Sequence, residues 1–124
     1  MDRIGKLFGS GEVSRPEQAS EGEVFGLKFS LPSGEARLFT TLPISIGRAV
    51  DNDLVIENES VSSHHARIYF DEIVSDVCIL DLDSFNGLLI DGLPTRKNVL
   101  HDGVRIGLGD AIITFRDTGY IHQG

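Results

Sequence analysis

The sequence has little cysteine, little positive charge and no long apolar run. Its one cysteine, Cys78, has no partner for an internal disulfide. With no secretory apolar segment either, we expect a reducing, cytoplasmic location and no membrane partner. Lysine and arginine number 11 against 19 aspartates and glutamates, which gives a net charge of -8. Because a nucleic-acid backbone attracts clustered positive charge, this balance argues against nucleic-acid binding. A phosphorylated peptide is not excluded, since it needs only a local positive site.

The composition fits one folded domain with tails. Hydrophobic residues make up 40% and charged residues 24% of the 124 residues, as in soluble globular proteins with a single core. Residues 1–22 are rich in Ser, Gly and Glu, which predicts a flexible N-terminal tail. We therefore place the domain at 23–118 and a short C-terminal tail at 119–124.

The N-terminal tail contains one apolar pattern. Ile4, Leu7 and Phe8 fall at positions i, i+3 and i+4, which is the spacing of one face of a helix. A short helix here would dock on a protein partner or on the domain itself. The alternative is a frayed terminus.

The folded part lacks any convincing helical period and instead shows short alternating apolar runs. Asp91-Gly92 lies between two of these runs, which is typical of a type I′ hairpin. Many short strands with closely spaced turns predict an all-β sandwich or barrel. The runs lie at 24–29, 36–40, 43–47, 54–56, 66–70, 77–82, 88–90, 99–100, 104–106 and 111–115.

The polar loops within residues 44–70 contain the side chains best suited to chemistry. Arg48 follows one predicted strand, and Ser62, Ser63, His64 and His65 precede another. Arginine offers a planar fork of donors that matches phosphate, and serine adds a hydroxyl donor. If neighbouring loops bring these groups together, they form an anion site.

The ordered set of motifs resembles the forkhead-associated (FHA) domain family. The pieces are IGR at 46–48, NDLVI at 52–56, VSSHHARI at 61–68, LDLDSFNG at 80–87 and LHDGVRIGLGD at 100–110. No single piece is specific, but their order and spacing together are. The resemblance spans about 44–115 and implies a two-sheet β-sandwich of about eleven short strands. It also implies loops at one end that bind phosphothreonine peptides, with no cofactor.

The resemblance implies a role for each matching residue. Arg48 would grip the phosphate, and Ser62 would donate to it. His65 would support the loops, and Asn86 would hydrogen-bond the peptide backbone. Gly47 and Gly87 would be scaffold positions where a missing Cβ permits tight turns.

Two positions in the predicted phosphate site depart from the family pattern. Ser63 stands where the family usually has Arg, Lys or Asn, and Phe85 stands where it usually has Thr. We therefore expect reduced phosphate affinity, unless His64 supplies a replacement cation. Phe85 either packs against the loops or contacts the partner as an exposed apolar group.

Each proposed contact has a plainer alternative. Arg48 would pair with Asp51 or Asp53, Ser62 would cap its own loop, and Asn86 would bond only its own turn. Cys78 is expected to be a small buried residue.

The sequence leaves three alternative functions for this chain. The first is a phosphothreonine-dependent signalling module that reads the product of a Ser/Thr kinase, and the second is a phospho-independent interaction or assembly module on the same fold. An enzyme or metal protein is the third and least favoured, because Ser62 and His65 lack an oxyanion motif and adjacent His64 and His65 diverge on a strand. Residues 1–22 contain no threonine, so we predict that the loops do not capture a phosphorylated tail of this chain.

Overall fold

The structure, a computed structural model, describes residues 26–119, which form eleven strands and no helix. The apolar pattern of Ile4, Leu7 and Phe8 lies outside these residues. None of the described residues forms a helix able to cross a membrane. The strands are β1 (Leu27–Ser30), β2 (Ala36–Phe39), β3 (Ile44–Gly47), β4 (Leu54–Val55), β5 (Ala66–Asp71), β6 (Asp76–Asp81), β7 (Leu88–Ile90), β8 (Leu93–Thr95), β9 (Lys97–Val99), β10 (Arg105–Leu108) and β11 (Ala111–Asp117).

The strands assemble into two sheets. The five-stranded sheet has the order β9-β6-β5-β3-β4, and the six-stranded sheet has the order β2-β1-β11-β10-β7-β8. Neighbouring strands are antiparallel except β3 and β4, which pair in parallel through Ile46 with Leu54 and Gly47 with Val55. The predicted two-sheet β-sandwich is confirmed.

The core lies between the sheets and comes from alternate residues of the strands. Successive side chains of a strand point to opposite faces, so each alternating run buries one face. Phe29 and Phe115 fill the centre, with ring centroids 5.4 Å apart, and Phe39 packs edge-on against Phe29 at 5.8 Å. Burying a large apolar side chain of this kind stabilises the fold by about 1.5–3 kcal/mol.

The strand registers define two ends of the sandwich. Ala66 opposes both Ile46 and Asp81, so the segments that follow β3 and β6 and precede β5 meet at one end, named here the loop end. Leu27 opposes Asp117, and both lie at the opposite, far end. The far end also carries the 72–75 turn between β5 and β6.

Two local features refine the sequence predictions. The Asp91-Gly92 hairpin is confirmed, because both residues have positive φ (50° and 84°) and join β7 to β8. The predicted run at 99–100 overlaps β9 only at Val99, and no run was predicted for β8, which contains Pro94. Proline fits there because β8 is an edge strand, where a missing N–H costs no ladder hydrogen bond.

Cys78 is buried, as predicted, with 1% of its surface exposed. Its neighbours Val77 and Ile79 belong to the core, so alternation turns Cys78 to the outer side of β6. There it lies opposite Tyr69 and Val99 of the flanking strands. Burial raises the pKa of its thiol, which keeps the sulfur protonated and unreactive.

Candidate functional site

Three loops at the loop end form the candidate site: loop A (48–53), loop B (57–65) and loop C (82–87). The backbone N–H groups of Arg48 and Ala49 donate to the carbonyls of Ser62 and Ser63, at 2.9 and 3.1 Å. On the other side, the N–H of Phe85 donates to Ser62 Oγ at 2.9 Å. Loop B therefore lies in the middle, with loops A and C hydrogen-bonded to it.

His65 connects loops B and C from the interior of the domain. Its side chain is fully buried, its Nδ1 accepts from the Ser62 N–H at 3.1 Å, and its Nε2 donates to the Gly87 carbonyl at 2.7 Å. One ring nitrogen accepts and the other donates, which is the neutral tautomer with hydrogen on Nε2. His65 thus supports the site without facing solvent.

Arg48 is held by one nitrogen and exposed at the others. Its Nε donates to the Val61 carbonyl at 2.9 Å, and its terminal nitrogens have no hydrogen-bond partner among residues 26–119. Asp51 and Asp53 are engaged elsewhere, with His64 and Ser45. The alternative in which Arg48 pairs with either carboxylate is therefore not formed.

Ser62 and Ser63 differ in which of their groups form hydrogen bonds within the site. Ser62 Oγ accepts from the Phe85 N–H, and its hydroxyl hydrogen has no acceptor in the described part of the chain. This bond spans loops, and the alternative of Ser62 capping its own loop is wrong. Ser63 is exposed, and it is its carbonyl, not its hydroxyl, that ties down loop A by accepting from Asn52 Nδ2 at 2.7 Å.

His64 is exposed whereas His65 is buried, but the predicted reason is wrong, because both precede β5 and lie in loop B instead of a strand. Its Nε2 lies 3.0 Å from Asp51 Oδ1, and the two side chains are 55% and 70% exposed. The carboxylate that holds His64 partly cancels any positive charge the ring gains. His64 is therefore a weaker replacement for a missing cation than its position in the sequence indicated.

Loop C presents Asn86 and Phe85. Asn86 Nδ2 donates to the Ser60 carbonyl at 2.8 Å, so the alternative in which it bonds only its own turn is wrong. Its amide oxygen has no partner within residues 26–119. The Phe85 side chain is 91% exposed, which decides between the two predicted arrangements in favour of exposure.

The glycines at 47 and 87 serve different purposes. Gly87 has φ of +84° with open space around it, so it fits the turn role. Gly47 lies at the end of β3 and is not in a tight turn. A Cβ there would lie 2.2 Å from the Ser63 carbonyl oxygen, so the reason given for Gly47 is corrected: it allows loop B to pack directly on β3.

Three further residues that build the site were missed by the sequence analysis. Asn52 is 7% exposed and donates to the Ala49 and Ser63 carbonyls. Ser60 Oγ accepts from the Asp110 N–H at 2.7 Å, and Ser84 Oγ donates to Asp81 and accepts from the Gly87 N–H. Small polar residues in polar loops carry no distinctive sequence signal, because their partners are set by the tertiary fold.

The assembled site suits an anion. It combines the free nitrogens of Arg48 with the hydroxyl hydrogens of Ser62 and Ser63 on adjoining loops. Such donors are the groups that charged oxygens prefer. Among residues 26–119 no group of His, Cys, Asp and Glu is arranged to hold a metal ion.

The sequence model of the FHA domain matches residues 44–109. The transcriptional regulatory protein EmbR of Mycobacterium tuberculosis is 32% identical over 123 residues, which cover 96% of this chain and 31% of EmbR. The chain therefore spans about a third of that relative's length.

Solved structures similar to this one include the following two. One, from work on phosphothreonine-dependent FHA domain interactions, has a TM-score of 0.68 and 27% identity, covering 76% of this chain and 98% of that one. The other, Mycobacterium tuberculosis EmbR in complex with a low-affinity phosphopeptide, also has a TM-score of 0.68 and 27% identity, covering 82% and 27%.

Proposed function

The chain belongs to the FHA domain family, and on that premise we propose that it is a non-catalytic signalling module that binds phosphothreonine-containing peptides or proteins. Arg48, Ser62 and Asn86 are the principal contacts, with Ser63 and His64 beside the phosphate. The ligand is the product of a Ser/Thr kinase. We place this activity in the reducing cytoplasm, in keeping with a free, buried Cys78.

The observation that carries this proposal is the state of the Arg48 side chain. A hydrogen bond from Nε holds the guanidinium on the Val61 carbonyl, one residue before Ser62, while its outer nitrogens stay unbonded within the described residues. Phosphate is therefore met by a cation already oriented, which lowers the entropic cost of binding. A hydrogen bond to a charged group contributes about 1.5–3 kcal/mol.

Asn86 supports peptide recognition next to the phosphate. Its bond to the Ser60 carbonyl fixes the side chain and leaves the amide oxygen for an N–H of the ligand. This free amide oxygen of Asn86 would accept from a backbone N–H of the peptide, independently of the peptide's side chains. The contact fits peptides of differing sequence around one phosphothreonine.

The affinity is lower than the full family pattern would give. Ser63 brings a hydroxyl in place of a charge, and Phe85 brings no donor at all. Losing one charged hydrogen bond and weakening another costs about 2–5 kcal/mol, which is roughly 30- to several-thousand-fold in Kd.

A second candidate is a phospho-independent interaction module. The 91% exposed ring of Phe85, in loop C beside the central loop B, favours it, because exposed aromatic side chains beside binding loops are common anchors of protein interfaces. The two candidate functions differ in whether binding requires a phosphate group on the ligand.

The test is an NMR titration of the chain with a degenerate phosphothreonine peptide library, the unphosphorylated library and an Arg48→Ala variant. We expect phosphopeptides to shift the amides of Arg48, Ser62 and Asn86, with no shift from the unphosphorylated library. Arg48→Ala should abolish these shifts and keep the rest of the spectrum. Equal shifts with both libraries would favour the phospho-independent module, and absence of shifts at millimolar peptide would refute phosphothreonine reading.

A further inference from the structure

Two apolar side chains at the loop end are almost fully exposed. Val50 in loop A is 89% exposed, and Phe85 in loop C is 91% exposed. Loops A and C flank loop B, which carries the proposed phosphate contacts Ser62 and Ser63. The loop end therefore presents an apolar group, a polar centre and a second apolar group in that order.

Both side chains project from backbone that is already fixed. Val50 lies inside a turn closed by the Asn52 N–H on the Ala49 carbonyl at 3.2 Å, and Asn52 is itself tied to Ser63. Phe85 is fixed by its own N–H on Ser62 Oγ. Because the backbone at both positions is already ordered, ligand binding would cost little further conformational entropy. Most of the free energy gained by burying the two side chains would therefore contribute to affinity.

We propose that the ligand carries apolar side chains on both sides of the phosphothreonine, one contacting Val50 and the other contacting Phe85. This inference rests on the proposed function, because the phosphate on loop B fixes the ligand between the two groups. Nothing in the FHA sequence pattern quoted above assigns Val50 a role.

The chemistry of the site favours this ligand over an acidic one. The centre offers one arginine and hydroxyls, while loops A and B also carry the exposed carboxylates of Asp51, Asp53, Glu57 and Glu59. Additional negative charge next to the phosphothreonine would be repelled. Apolar flanks avoid that repulsion and recover binding energy that Ser63 and Phe85 do not supply through hydrogen bonds.

The structure provides a matched control. Ile73 is 93% exposed, as exposed as Val50 and Phe85, but it lies in the 72–75 turn at the far end. A change of Ile73 to serine alters the same kind of surface without touching the loops. All three variants should keep the fold, because each side chain makes little contact within the protein.

The experiment measures affinity for synthetic phosphothreonine peptides by fluorescence polarisation. The peptides have leucine or serine on the N-terminal side, the C-terminal side, both sides or neither, over the three positions next to the phosphothreonine. We expect leucine on both sides to bind about tenfold or more tighter than serine on both sides. Val50→Ser should erase the preference on one side and Phe85→Ser the preference on the other, while Ile73→Ser changes neither.

The other outcomes overturn the inference in distinguishable ways. If phosphopeptides bind through Arg48 with no preference for leucine, the inference fails and the proposed function stands. The same holds if Val50→Ser and Phe85→Ser affect the preference no more than Ile73→Ser. If no phosphopeptide binds, the proposed function fails and the inference falls with it.

Discussion

His64 and His65 are adjacent and chemically identical, yet they do different things. His65 is buried and satisfies two backbone groups, one in loop B and one in loop C. His64 is exposed and faces Asp51. Neither lies in a strand: His64 is in the turn before β5 and exposed, whereas His65 directly precedes β5 and its ring lies in the interior.

We predict that His65→Ala destabilises the domain by about 2–5 kcal/mol, since it leaves the Ser62 N–H and Gly87 carbonyl unpaired and creates a cavity. His64→Ala should cost less than about 1 kcal/mol, as expected for an exposed pair. Urea unfolding of both variants at neutral pH checks this. Equal midpoints for the two would contradict the structural role of His65.

Ser63 offers a direct way to raise affinity. Its side chain is exposed at the site, so a longer side chain fits without repacking. Ser63→Arg restores a cation next to the phosphate, and we expect phosphopeptide binding about tenfold or more tighter. Isothermal titration calorimetry with one phosphopeptide measures the gain, and Ser63→Gln serves as the uncharged control of similar length.

At this scale the sequence predicted the identities of the main side chains better than their surroundings. Motif order singled out Arg48 and Asn86. The sequence did not decide whether Phe85 is buried, and it gave no sign of Asn52 as a tie between loops. Those outcomes depend on which loop lies beside which, and contacts between loops distant in sequence leave no local pattern.

Strands β5 and β9 and the 72–75 turn share a polar cluster on the outer face of the five-stranded sheet. Lys97 Nζ lies 2.6 Å from Asp71 Oδ2, and the Ile73 and Val74 N–H groups donate to Asp71 Oδ1. These contacts, led by the Lys97 hydrogen bond, lower the pKa of Asp71 from 3.8 to about 2. The same carboxylate raises the pKa of Lys97.

The cluster predicts a specific acid dependence. A carboxyl whose pKa is lower in the folded state stabilises the fold above its unfolded pKa near 3.8, and this contribution is lost as pH falls toward about 2. Asp71→Asn should therefore be less stable than the original protein near neutral pH, and should lose less stability on acidification. Asp102, whose pKa is also lowered, chiefly by the Asp117 N–H, acts equally in both proteins.

Urea midpoints at about pH 6 and about pH 2.5 for the two proteins give the measurement. The difference between them should shrink at the lower pH. A difference that stays constant across this range would show that the pKa of Asp71 is not lowered by folding.

Gly47 allows a second test at the scale of the elements, because its missing Cβ lets loop B pack directly on β3. A Cβ at this position would meet the Ser63 carbonyl at 2.2 Å, whereas a Cβ at Gly34 meets nothing within 4 Å. Gly47→Ala should cost about 2–4 kcal/mol or displace loop B, and Gly34→Ala only about 1 kcal/mol for its positive φ. Thermal unfolding compares them, and similar losses for both would exclude the packing role.

Among the elements, alternating runs and turn residues were enough to predict most strands. The parallel pairing of β3 with β4 and the pairing of β9 with β6 were not predictable. Pairing joins segments through register and not through composition. In β4 the paired part is only Leu54–Val55, too short to show a period of its own.

At the scale of the whole molecule, the strand registers separate the candidate site from the two ends of the described segment, residues 26 and 119. Loops A, B and C lie at the loop end, while Leu27 pairs with Asp117 at the far end. The described residues therefore begin and end on the side of the sandwich opposite to the site.

We predict that a chain shortened to residues 23–119 folds and binds phosphopeptide within about twofold of the full chain, because the 44–109 match and both sheets lie inside it. Fluorescence polarisation on the two chains measures this. A large loss of affinity would assign residues 1–22 a part in binding.

The Thr118 N–H donates to the Gly26 carbonyl at 2.8 Å, so the chain enters and leaves the domain side by side. A unit with adjoining ends can be inserted into a loop of another protein without forcing the sides of that loop apart. The domain could therefore be inserted into a loop of an enzyme or a fluorescent protein, with loops A, B and C, the proposed phosphothreonine site, on the side facing away from its host.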